Sequence, residues 1–219
     1  MGNLVSNMVA NAIASGVPAN TIVLLLLLPL VTSVIAAARH LIGIRGFGIF
    51  LPAALAVAFV ATGPLLGIAL FLVIVTLSTL ARLSLRKLKI KLQYLPRMAF
   101  ILWLVVIGVL GVLFTAPIFP NLNIANVSIF AILILVLLAE EFTRVQLGKS
   151  IRTAIDLTGE TLFLALMSYL FLTNRPLQDF ALAKPEILLG GVLIFDLILG
   201  RYAGLRLIEL WRFRNLIKN

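Results

Sequence analysis

Cysteine is absent from the chain and histidine occurs once, at His40. Disulfides, thiolate metal sites and a cysteine nucleophile are thereby excluded, as is a multi-histidine metal site built within the chain. Charge is also scarce, at 12% of 219 residues, against about 25% in an ordinary soluble domain. Acids are scarcest of all, eight against eighteen basic residues, for a net charge of +10. No glycine loop of the phosphate-binding kind is followed by a lysine. What fills the chain is hydrocarbon, with 62% of residues hydrophobic. A soluble fold cannot hide that much apolar surface, so the solvent for most of the chain is lipid. At about 20 apolar residues per helical span, the length allows six or seven spans and leaves no room for a separate soluble domain. The expected class is all-α, a polytopic membrane protein.

Residues 1–20 carry no Lys, Arg, Asp or Glu. Leu4, Val5, Met8, Val9, Ala12 and Ile13 recur at helical spacing among Asn3, Ser6, Asn7 and Asn11, the pattern of an amphipathic helix lying on a membrane surface. A secretory signal would need a basic amino-terminal region, which this segment does not have. Gly16 and Pro18 end it, and residues 21–219 read as the membrane domain. The first span covers about 21–40, capped by Asn20 or Thr21, with Pro29 inside it as a kink point. A glycine-rich link, 42–48, leads to a short second span, 49–62. Gly63-Pro64 then turns the chain into a third span ending near Leu85. This pair reads as two crossings rather than a re-entrant pair. A basic loop follows at 82–97, with Arg86, Lys87, Lys89 and Lys91 close together. The fourth span is 98–115, the fifth 127–146 and the sixth 149–173. Residues 174–185 read as a loop. A last helix over 186–213 is too long for one perpendicular crossing, so it tilts, breaks near Gly190-Gly191 or Gly200, or runs out along the cytoplasmic surface.

Orientation follows from the basic residues. With seven crossings and the amino terminus outside, sixteen of the eighteen basic residues fall inside, and only Arg175 and Lys184 fall outside. The positive-inside rule then gives an outside amino terminus and an inside carboxyl terminus. An even number of spans spoils the pattern. Clusters such as Arg86, Lys87, Lys89 and Lys91 read as contacts for anionic lipid rather than for nucleic acid.

Three stretches carry a family resemblance. Ala38-Arg39-His40-Leu41-Ile42-Gly43-Ile44-Arg45-Gly46-Phe47-Gly48-Ile49-Phe50-Leu51-Pro52, continued by Ala58-Phe59-Val60-Ala61-Thr62-Gly63, is similar to the opening of a bacterial seven-helix membrane domain usually fused to an inactive transglutaminase-like domain. Gly200-Arg201-Tyr202-Ala203-Gly204-Leu205-Arg206-Leu207-Ile208-Glu209-Leu210 and Arg212-Phe213-Arg214 resemble its closing helix. Ala139-Glu140-Glu141-Phe142-Thr143-Arg144 resembles its middle signature less closely. The resemblance runs over nearly the whole chain from Thr21. It implies seven helices in a bacterial cytoplasmic membrane, with an extracytoplasmic domain normally ahead of the first; here a short amphipathic segment stands in that place. Genes of the family often neighbour an ATP-grasp peptide ligase, which implies peptide handling or export at the membrane. No catalytic residue carries over.

Charges beside or inside membrane helices mark either a site or a structural ion-pair network. Glu140, Glu141 and Arg144 close the fifth span, and Arg152, Asp156 and Glu160 follow at four-residue spacing on one face of the sixth. Asp196, Arg201, Arg206 and Glu209 lie along the last helix. In the seven-span topology all ten share the inner half with Arg39, His40 and Arg45. One reading is a neutralised network that holds helices together. The other is a site for a proton, a peptide carboxylate or a lipid headgroup, with Asp196 and Glu160 exchanging the proton. A hydrolytic reading is weaker. Glu-Glu-x-x-Arg is similar to the paired-glutamate motif of CAAX-type intramembrane proteases, but it is one residue short and the two further histidine-bearing helices are missing. His40 reads as an interfacial or network residue, or else as an axial ligand for haem or chlorophyll; no cofactor is required by the sequence. Gly190-Gly191 and Gly200-x-x-x-Gly204 permit close helix approach. The expectation is a non-catalytic membrane subunit or scaffold working with other membrane or extracytoplasmic proteins. The alternative is a small transporter-like protein for a peptide or proton-coupled solute.

Overall fold

The structure, a computed structural model, describes residues 4–87, 92–115, 128–148, 151–202 and 204. Every element among them is a helix: α1 (Leu4–Ala14), α2 (Ala19–Ala37), a π turn (Ala38–Ile42), α3 (Phe50–Thr62), α4 (Pro64–Lys87), α5 (Tyr94–Phe114), α6 (Ile129–Gly148), α7 (Ile151–Thr173), α8 (Arg175–Ala183) and α9 (Pro185–Arg201). Four of these stretches are long and apolar enough to cross a membrane: Ala19–Ile42, Pro64–Leu85, Tyr94–Phe114 and Arg152–Thr173. The chain divides into two compact units, one made of Met1–Ala53 with Glu160–Asn219 and the other of Ala54–Gly159.

In the first unit α2 packs against α9 and α8, while α1 lies on α8 and α9. Val23, Leu27, Val31 and Ile35 are buried at four-residue spacing along α2, the single stripe that a helix turns to its neighbours. Leu188, Val192 and Leu199 form the corresponding stripe of α9. The break between α1 and α2 is short because α1 ends in a Schellman motif. Gly16, at φ 100°, donates to the Ile13 carbonyl and Val17 to the Ala12 carbonyl. Pro18, with φ already at −59°, then starts α2. The expected cap at Asn20 or Thr21 is therefore corrected: both residues fall inside the first turn, and no side chain caps it. Pro29 is carried within α2, which runs on without interruption into the π turn.

A second correction concerns residues 174–185, expected as a loop. They hold α8, whose amino end is capped by Asn174: its side chain accepts from the Leu177 N–H at 3.3 Å, with Pro176 in the first turn. Proline is at home there because that amide has no helical acceptor. The last helix breaks beside Gly200, one of the break points expected for 186–213. α9 stops at Arg201, where Tyr202 turns extended (φ −72°, ψ 110°); of the residues beyond Tyr202, only Gly204 is described.

In the second unit α4 packs on α5 and α6, and α5 on α6. Ile101, Val105 and Val109 are the buried stripe of α5. Gly63, at φ 83°, makes the turn between α3 and α4. At 1.5 Å per residue the 13 residues of α3 span about 20 Å, short of the ~30 Å hydrocarbon core. α4, with 24 residues, is long enough.

Candidate functional site

The polar residues singled out in the sequence are distributed along α6, α7 and α9. Glu140, Glu141 and Arg144 occupy the end of α6, with Arg144 exposed. Arg152, Asp156 and Glu160 do share one face of α7, each step of four rising about 6 Å. Arg152 and Asp156 are exposed and Glu160 is half-buried. No ion pair joins these three among the described residues. Asp196 and Arg201 are both exposed on α9. Arg206 and Glu209 lie outside the described residues, as do Lys89 and Lys91 of the basic loop; Arg86 and Lys87 close α4, with Lys87 exposed.

Among the described residues three buried side-chain atoms have no hydrogen-bond partner: Ser33 Oγ, Arg39 Nη1 and Glu160 Oε2. All three belong to the first unit. Two of them are on charged groups, for which burial without a partner is costly. Around Glu160 the chain is held closely. Its neighbour Thr161 is fully buried, and the Thr161 Oγ1 accepts the Phe47 N–H at 2.9 Å. This bond docks the glycine-rich link onto α7. Gly46 lies so close that an added Cβ would come within 3.2 Å of Leu164 Cδ1 and 3.4 Å of Thr161 Oγ1. Sequence reading passed over Thr161. Its signal was Gly46, since a glycine without a turn to make marks a backbone that approaches something closely, whereas Gly48, at φ 53°, serves the turn into α3.

His40 sits in the π turn, a geometry that occurs mostly as single turns and often at functional positions. The turn closes with Gly43, at φ 97°, whose N–H reaches the Ala38 carbonyl at 3.1 Å. His40 Nε2 is 2.8 Å from the carbonyl oxygen of Tyr202. A carbonyl only accepts, so Nε2 carries the hydrogen. The His40 and Tyr202 rings also meet edge to face, with centroids 6.0 Å apart. His40 thereby ties the end of α2 to the end of α9, and Nδ1 is the ring nitrogen left for any ligand. Among the described residues no group of three His, Cys, Asp or Glu side chains is placed to hold a metal ion.

Glu186 is a second residue that sequence reading missed. It stands in the first turn of α9, yet its Oε1 accepts the Val5 N–H at 2.7 Å. A carboxylate thus meets an amide that α1 cannot satisfy internally, at the positive end of that helix. The local sequence gives no sign of this, because the partners are 181 residues apart.

The comparisons with known proteins bear on the whole chain. Neither a curated protein nor a solved structure matches it. A family model described as seven transmembrane helices usually fused to an inactive transglutaminase matches residues 15–217. With helices of membrane-crossing length and nearly the full chain matched, the protein is a multi-pass membrane protein, and it belongs to this seven-transmembrane-helix family.

Proposed function

We propose that the chain is a non-catalytic integral subunit or scaffold of a bacterial inner-membrane assembly, crossing seven times with its amino terminus outside. One observation carries this reading. Arg152 and Asp156 on α7 and Asp196 on α9 are exposed, and among the described residues none has an ion-pair partner. Charged groups beside lipid need partners, so these are available to another molecule. The family's usual fusion to an inactive enzyme domain agrees with a role in assembly rather than in turnover. The division of basic residues between the two sides supports the orientation. α1 and α8 then form a layer at the outer surface, next to Arg175 and Lys184.

The test is purification from the native membrane in a gentle detergent, followed by mass spectrometry of what remains bound. A partner retained in fixed stoichiometry is the expected result. A chain that comes away alone overturns the subunit reading.

A further inference from the structure

α9 has a side that the described residues of its own unit leave open. Leu188, Val192 and Leu199 are its buried stripe. Beside that stripe Leu193, Asp196, Leu197 and Gly200 recur at three- and four-residue intervals, which places them on one strip of the helix. All four are exposed, and Leu193 and Leu197 are each 62% exposed. A Cβ added at Gly190, Gly191 or Gly200 would meet nothing within 4 Å. Among the described residues, Asp196 has no hydrogen-bond or ion-pair partner, and it is not among those with further contacts. In the proposed seven-span orientation, with Glu186 at the outer edge of the ~30 Å hydrocarbon core, Asp196 lies ten residues farther along α9 and so about 15 Å in. A carboxylate at that depth, flanked by leucines, requires a cation or a donor.

We infer that this strip is an intramembrane docking surface, and that its occupant is a transmembrane helix of a different protein bearing one lysine or arginine level with Asp196. The inference rests on the subunit reading above and names the surface through which it acts. Charge argues against a second copy. Two copies related by a two-fold axis along the membrane normal would set Asp196 beside Asp196 at equal depth, two like charges side by side. Arg201 does not relieve this, since it lies about 7.5 Å farther along the axis and roughly 140° around it. A foreign cation meets the carboxylate directly, and Gly200 lets the backbone carrying it come close.

The probe is a synthetic polyleucine transmembrane helix with a single central arginine, compared with its all-leucine counterpart. Each is reconstituted with the full chain in vesicles of phosphatidylethanolamine and phosphatidylglycerol, and association is read by energy transfer. The arginine helix is expected to associate roughly 3- to 20-fold more tightly, the range of interhelical polar contacts in membranes. Asp196→Asn should erase the preference and Asp196→Glu should keep it. Equal association of the two helices, or a preference that survives in Asp196→Asn, overturns the inference. Disulfide-linked dimers of Leu193→Cys in this cysteine-free chain overturn the choice of occupant in favour of a second copy. In native membranes, a partner still bound to the Asp196→Asn chain overturns the α9 surface but leaves the subunit reading standing. A chain that purifies alone overturns the subunit reading itself.

Discussion

Thr161 shows how much one hydroxyl can hold in a chain made mostly of hydrocarbon. Its Oγ1 is the 2.9 Å acceptor for the Phe47 amide, in a place where both residues are buried. Thr161→Val keeps the shape and removes the acceptor. It should destabilise the fold by about 1–3 kcal/mol, the usual cost of stranding a buried donor. Thr161→Ser should retain most of the stability, and thermal unfolding in detergent compares the two. Glu186 works in the same way from the opposite end of the chain, and His40 does so through Nε2. Each of these contacts joins residues more than a hundred positions apart. Gly46 beside Phe47 announced a close approach, but nothing in the local pattern named its partner. Charged residues were legible as exceptions to the apolar runs, while their pairing, or lack of it, depends on which helix faces which.

The α3–α4 hairpin turns on glycine in two different ways. Gly63 supplies a positive φ of 83°. Gly67, one turn into α4, supplies space: an added Cβ would overlap the ring of Phe59, itself fully buried. Gly67→Ala should therefore destabilise by about 1–3 kcal/mol through overpacking. Gly111→Ala is the control, because a Cβ there meets nothing within 4 Å. That change should be neutral, or stabilising by up to about 1 kcal/mol from helix propensity. Equal melting shifts for the two variants would refute the packing argument. The long apolar helices were plain in the sequence because α2, α4 and α5 are nearly uninterrupted hydrocarbon. α8 was not, since nine residues give too few turns for periodicity to stand out, although Asn174 and Pro176 were a usable start signal.

For the molecule as a whole, the proposed seven-span orientation is open to direct measurement because the chain has no native cysteine. Lys184→Cys, at the exposed junction of α8 and α9, should react with an impermeant maleimide added to intact spheroplasts. Lys87→Cys, exposed at the end of α4, should react only after permeabilisation. The opposite pattern would invert the protein in the membrane. Labelling of both from one side would remove the odd number of crossings between them.

The sequence by itself determined the solvent, the helical class and most helix positions, because lipid admits few backbone solutions and long apolar runs declare them. Its motifs at 38–63 and 200–214 also carried the family. Only the tertiary structure decided that the 42–48 link docks on Thr161, that Glu186 receives the first turn of α1, and that His40 closes on Tyr202. These depend on distances between segments remote in the chain, which no local period encodes. The same holds for Asp196: the sequence shows a carboxylate in an apolar helix, but only the packing of α9 shows that it faces outward.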